Sequence, residues 1–293
     1  MEKEVILVSH SRIRSATGPG EKYSEIWTDI CEGAVEEARE KGANLEILAP
    51  RSYHDHKEFI SLIREATQKN PDTLIIPFTP TENELVKEMA SILKEFKGKI
   101  VTVNVPPMSE IKEQLSNIVG YVGMNERAAG RLAVFWLVTR NTDIRKILVV
   151  KHEEGHYGHR LRIHGIKEID VSWIIGRPTK VEEIYTGAET YKIDALKKSL
   201  SDEQAGVVTL GVRGTEAVLQ TGIPTSIVGM DLNDNIRFAI KEGRVLATLI
   251  QHPVREGSLA MKMASEIITN PDLPYREVYC GPTLVTQDNV EAF

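Results

Sequence analysis

Short aliphatic and β-branched runs alternate with helix-patterned stretches along nearly the whole chain, and this alternation restricts the fold more than any other feature. Val5–Val8 reads as a strand. A helix follows from Ser24 to Lys41, with Ile26, Ile30, Ala34 and Ala38 at helical spacing and Gly42 as its stop. Strands are predicted at Leu45–Leu48, Leu74–Phe78 and Ile100–Val105, with helices over Lys57–Gln68 and Glu82–Phe96 between them. Connections of this length demand right-handed crossovers and a parallel sheet. After Pro106 and Pro107 a short linking segment leads to a strand at Tyr121–Met124, and the pattern restarts. Helices are predicted over Glu126–Thr139 and His159–Glu168, and strands at Ile147–Val150, Val181–Tyr185, Gly206–Gly211 and Ser226–Asp231. The tail adds a helix over Asn233–Glu242, a strand at Val245–Ile250, a helix over Glu256–Ile268 and an extended stretch near Val278–Val285. Two successive βαβαβ blocks predict an α/β protein of two Rossmann-like lobes.

The length agrees, since 293 residues is about twice a common domain. At 41% hydrophobic residues the chain can fill a core, and a net charge of -6 makes it a poor general binder of nucleic acid or anionic membrane. No apolar run approaches the roughly 20 residues of a membrane span. Cys31 and Cys280 are too few for a disulfide framework. Collagen, coiled coil, disulfide scaffold and membrane protein are excluded. Gly18, Gly20 and Lys22 lack phosphate-loop spacing and read as a surface loop that folds over a site mouth. His152, His156 and His159 form the densest imidazole cluster, yet their spacing fits no metal motif, and no G-x-S-x-G nucleophile elbow occurs. No metal, cofactor or catalytic residue is expected.

Seven segments in order resemble the type I periplasmic sugar-binding family, which includes ribose- and galactose-type receptors and the effector cores of lactose-repressor-type regulators. They are Trp27 to Ala38 with Gly33 inside, Asp72 to Pro77, Asn125 to Ala133, Arg160-Leu-Arg162-Ile-His-Gly165-Ile166, Val228 to Asp231, Gly243 to Gln251, and Leu284 to Val290. The resemblance implies two lobes joined by three hinge crossovers, near Asn104–Pro106, Asp231–Asn233 and Gln251–Pro253, with the ligand in the inter-lobe cleft. Residues 1–105 and 233–251, with part of the 252–270 helix region, would form the N-terminal lobe. Residues 106–232 and 252–293 would form the C-terminal lobe.

The resemblance also implies contacts. Sugar rims need bidentate polar groups and sugar faces need aromatic walls. Trp27 falls where the family places a wall, although a core-facing role is the alternative. Asn104 stands where ribose-type receptors carry Asp followed by Arg, and here Val105 follows instead. Arg160 falls on a sugar-binding arginine, Asp231 closes a strand as an acceptor, and Gln251 both donates and accepts. Arg213 replaces the usual Asn-Asp segment, where pairing with a carboxylate of the protein is the cautious alternative. Arg213, His10 and Arg12 leave open a neutral sugar, a sugar acid or a sugar phosphate.

The leading expectation is a monomeric solute-binding receptor that closes on a small carbohydrate-like ligand for ABC-type transport or sensing. A membrane transporter or sensor would be its partner. The alternatives are the effector core of a transcription regulator without its DNA-binding headpiece, or a two-lobed α/β enzyme. The place of action is periplasmic or extracytoplasmic for a mature domain, and cytoplasmic if Met1 is the native start.

Overall fold

A computed structural model describes residues 4–16, 24–51, 55–79, 82–187, 192–201 and 204–293. The loop residues Gly18, Gly20 and Lys22 lie outside them. In chain order the first half contains β1 (Glu4–Val8), α1 (Glu25–Lys41), β2 (Asn44–Leu48), α2 (His56–Lys69), β3 (Thr73–Ile76), α3 (Asn83–Glu95), β4 (Lys99–Val103), α4 (Ser109–Gln114) and β5 (Ile118–Met124). There follow α5 (Glu126–Arg140), β6 (Lys146–Lys151), α6 (Tyr157–Glu168), α7 (Val171–Ile175), β7 (Lys180–Tyr185), α8 (Ile193–Ser201), β8 (Ala205–Thr209), α9 (Val212–Gln220) and β9 (Ser226–Met230). The tail holds α10 (Asp234–Lys241), β10 (Ala247–Ile250), α11 (Pro253–Thr269), β11 (Arg276–Gly281) and β12 (Thr283–Val285).

Local chemistry sets the helix ends. The Ser24 hydroxyl accepts from the Trp27 N–H at the start of α1, and Gly42 closes the helix in the left-handed region (φ 59°). Asn125 caps α5 in the same way, and the His156 imidazole caps α6.

The strands form two six-stranded sheets, β11-β5-β4-β3-β1-β2 and β12-β10-β9-β8-β6-β7. Pairings from β1 to β5 and from β6 to β10 are parallel, while β12 runs antiparallel to β10. Both sheets follow the doubly wound order, in which the chain reverses direction beside its first strand.

The chain divides into unit 1, residues 1–124 and 252–280, and unit 2, residues 125–251 and 281–293. This corrects the expected boundaries. Residues 106–124 stay with unit 1 because β5 hydrogen-bonds along β4, from Ile100↔Ile118 to Val103↔Val122. Residues 233–251 belong to unit 2, where β10 pairs with β9. Residues 252–280 return to unit 1. Three crossings remain, but they fall at Met124/Asn125, Gln251/His252 and Cys280/Gly281 rather than at Asn104–Pro106 and Asp231–Asn233. Alternation marks a strand without naming its neighbour, so it cannot assign an edge strand to a sheet.

Helix α11 completes the core of unit 1. Its Ala260, Met261, Met263, Ala264 and Ile267 are buried with Ile30, Ala34, Val101 and Val103 in one apolar layer. The opposite face of that sheet is covered by Phe59, Ile63, Met89 and Leu93. Unit 2 buries Leu148, Val207, Ile227, Ile236 and Ile240 in a comparable layer. Cys31 and Cys280 are free, and burial pushes both thiols up to about 12, so neither supplies a reactive thiolate near neutral pH. Among the described residues no helix is long and apolar enough to cross a membrane.

Candidate functional site

Parallel strands deliver their carboxyl ends to one edge of a sheet, and in doubly wound sheets that edge binds ligands. In unit 2 the residues leaving β6 are His152 and Glu153, those leaving β8 include Gly211 and Arg213, Asp231 follows β9 and Gln251 follows β10. The first turn of α5 adds Glu126, and α6 adds His159 and Arg162.

Arg162 is the centre of this group. It is 5% exposed, and its Nε and Nη2 donate to Glu126 Oε2 and Oε1 at 2.5 and 3.2 Å. Its Nη1 donates to the Leu210 carbonyl at 2.8 Å. Such a bidentate fork holds the guanidinium in one plane. Burial pushes the Glu126 carboxyl above its ordinary range, and the Arg162 charge works against that rise. Asp231 behaves alike: burial raises its pKa, while the Arg162 charge and a hydrogen bond from Gln251 oppose the rise. That bond runs from Gln251 Nε2 to Asp231 Oδ1 at 2.9 Å. Asp231 takes a left-handed backbone (φ 67°), held by its N–H to Leu249 O at 2.8 Å and by the Thr248 hydroxyl donating to its carbonyl at 2.6 Å.

Arg213 is half-buried, and its charge opposes the burial that raises the Glu153 pKa. His159 is buried against His156 and His152, with ring centroids 4.6 and 5.0 Å away. Burial first, then the neighbouring His156, His152 and Arg162, hold its pKa well below 6.5. Among the described residues no group of three or more His, Cys, Asp or Glu side chains is placed to hold a metal ion.

In unit 1, β1 leads into Ser9, His10, Ser11 and Arg12. The His10 ring is buried, with ring centroids of His56, Phe59 and Trp27 at 5.1, 5.5 and 6.3 Å. Arg12 is half-buried, and its carbonyl accepts from the Ser24 N–H at 2.8 Å. Asn104, at the end of β4, donates from Nδ2 to Glu256 Oε2 at 3.0 Å.

Two expected contacts need correction. Arg160 lies on the exposed face of α6, with its guanidinium 5.5 Å from the Tyr157 ring centre. Two residues along a helix is a turn of about 200°, so Arg162 is the arginine directed inward. Trp27 is 4% exposed and packs in the same apolar layer as Ile30 and Cys31, so it is a core residue whose ring meets His10. Glu126, Glu153 and Arg162 in unit 2 and Glu256 in unit 1 are polar groups near strand ends that the sequence did not single out. Only the R-x-R spacing of Arg160 and Arg162 offered a signal, because helical geometry puts one of the two on the buried face.

Two doubly wound α/β units with polar strand ends match the architecture of two-unit binding proteins, and the family comparison then fixes the class. Residues 19–272 match the periplasmic binding protein domain family, and the chain belongs to that family. It is 24% identical over 247 residues to the ribose import binding protein of Haemophilus influenzae, covering 83% of this chain and 81% of that one. Among solved structures it is similar to a glucose-galactose binding protein from Geobacillus stearothermophilus, with a TM-score of 0.77, 19% identity and 99% of each chain covered. It is also similar to an ABC transporter solute-binding protein from Burkholderia graminis in complex with D-arabinose. There the TM-score is 0.77 at 18% identity, covering 99% of this chain and 97% of that one.

Proposed function

We propose that this chain is a solute-binding receptor for a small neutral sugar or polyol, working outside the cytoplasm as a monomer that serves an ABC-type transporter. Family membership and the sugars named for its relatives support the solute class. One observation supports neutrality: Arg162, on α6 of unit 2, is already forked onto the Glu126 carboxylate. A phosphate or carboxylate ligand would compete with that pair, whereas hydroxyls can join Asp231 and Gln251 without displacing a charge. Arg213 then serves as a hydrogen-bond donor to neutral hydroxyls.

Thermal unfolding and calorimetric titration with D-ribose, D-arabinose, D-glucose and D-galactose test this, alongside D-ribose 5-phosphate and D-gluconate. A neutral sugar is expected to raise the melting temperature, since ligand at a hundred times its Kd stabilises the native state by about 2.7 kcal/mol. A response confined to the phosphate or the acid overturns neutrality, and no response to any of the six overturns the receptor reading. The sugar should be recovered unchanged.

A further inference from the structure

A groove of about 440 Å³ lies between α3 and α4 in unit 1. Its floor is Val86 and Ala90 from α3, with Ile111 of α4 and Leu115, which closes that helix. All four belong to the apolar layer on that face of the sheet, so the core reaches the surface here. Each pair is spaced i, i+4 and forms a ridge along its helix. Lys87 and Lys94 line the α3 side; both are exposed, and neither forms an ion pair with a described residue. Neighbouring charges are engaged elsewhere. Glu88 pairs with Arg64 at 2.7 Å, and Lys112 lies over the Tyr275 ring and 3.5 Å from Glu277. Among the described residues no acidic side chain lines the groove, so a chain of net charge -6 presents a locally cationic, apolar trough.

We propose that the groove between α3 and α4 is a docking site for a partner protein that presents an acidic amphipathic helix. The spacing of the cations selects a helix. Lys87 and Lys94 are two turns apart, about 10 Å along the axis of α3. An anion with a single head would use only one of them. A helix laid in the groove has the same period, so two carboxylates seven positions apart on its flank meet both lysines while its apolar stripe rests on the two ridges. The site uses none of the strand-end residues assigned to the solute, so it stands whether or not the chain binds a sugar.

The test is fluorescence anisotropy with a labelled, alanine-based helical peptide of about four turns. It carries leucines along one face and two glutamates, seven positions apart, beside them. A second peptide has lysines in place of the glutamates, and dodecanoate serves as the single-headed anion. The chain is expected to bind the acidic peptide about tenfold more tightly than the basic one, with the difference narrowing as salt is raised. Lys87→Glu/Lys94→Glu is expected to reverse that preference and to leave the melting temperature unchanged, because both side chains are exposed. Equal affinity for the two peptides overturns the inference, as does a preference that survives the reversal of charge. Failure to bind either peptide overturns it too, and binding of dodecanoate in that case assigns the groove to small amphiphiles. Should the reversed chain melt early, Lys87→Gln/Lys94→Gln takes its place: it is expected to weaken the acidic peptide about tenfold, and an unchanged affinity overturns the inference.

Discussion

Helices α1 and α11 of unit 1 cross where Gly33 and Gly257 sit against the Val254 and Ile30 carbonyls, and α5 and α6 of unit 2 cross where Gly130 and Gly165 sit against those of Arg162 and Arg127. A Cβ at these glycines would lie 1.9, 1.8, 2.0 and 2.1 Å from the facing oxygens, so both pairs depend on backbone-to-backbone approach. Each pair also carries a buried glutamate in the first turn of one helix, Glu256 on α11 and Glu126 on α5. The partners differ. Glu256 receives a neutral amide from Asn104, whereas Glu126 receives the Arg162 guanidinium in a fork. One packing solution therefore supports two electrostatic designs: a carboxylate that orients an amide, and a carboxylate that neutralises a cation while fixing its plane.

The sharpest way to break this contrast is to remove each partner. Arg162→Ala leaves Glu126 and Asp231 enclosed without their counter-charge, and the expected loss is about 3–5 kcal/mol. Asn104→Ala removes only a neutral donor, with an expected loss of about 1–3 kcal/mol. Denaturant unfolding of both variants measures the difference, and equal losses would show that the two glutamates do the same job.

The shared packing is tested by Gly257→Ala and Gly130→Ala. Each forces a helix pair apart, and each is expected to cost about 1–3 kcal/mol or more, lowering the melting temperature to a similar extent. A large effect in one unit alone would mean that the likeness of the two pairs is superficial.

Acid response tests the buried groups of unit 2. The folded-state pKa of His159 lies well below its ordinary 6.5, so the unfolded chain takes up the proton first. The stability it contributes is present above about pH 6.5 and is lost as pH falls below that value. The raised carboxylates Glu126, Glu153 and Asp231 act with the opposite sign, since the folded chain holds their protons to higher pH. The difference between the wild type and His159→Phe therefore isolates the imidazole: melting at pH 5 relative to pH 7 is expected to fall less in the variant.

The smallest expected effect sharpens the reading of α6. Arg160→Ala should change stability by less than about 0.5 kcal/mol, as exposed substitutions usually do, and leave solute affinity unaltered. A loss of affinity in Arg160→Ala that matched Arg162→Ala would reverse the assignment of the inward face.

Much of the architecture was legible in the sequence. The helix over residues 25–41 was readable from Ser24 to Gly42 because its caps and apolar spacing are local properties. The strand-end placement of Asn104, Asp231, Gln251 and Arg213 was legible for the same reason. For Trp27 the sequence leaves a wall and a core role both open, because helical spacing does not say which flank of the stripe packs deepest; in the fold Trp27 is buried and Ile26 only half-buried. The short helices α4 and α7 went unread between stronger signals.

By itself the sequence determined the longer elements, their order and the presence of two α/β units, since periodicity, caps and crossover length are written in neighbouring residues. Only the tertiary structure decided that β5, α11 and β11 complete the first unit, and that Arg162 rather than Arg160 meets Glu126. Those outcomes depend on hydrogen bonds and burial between segments far apart in the chain. Asn104 and Glu256 are separated by 152 positions, and their 3.0 Å contact exists only because β4 and α11 share one unit.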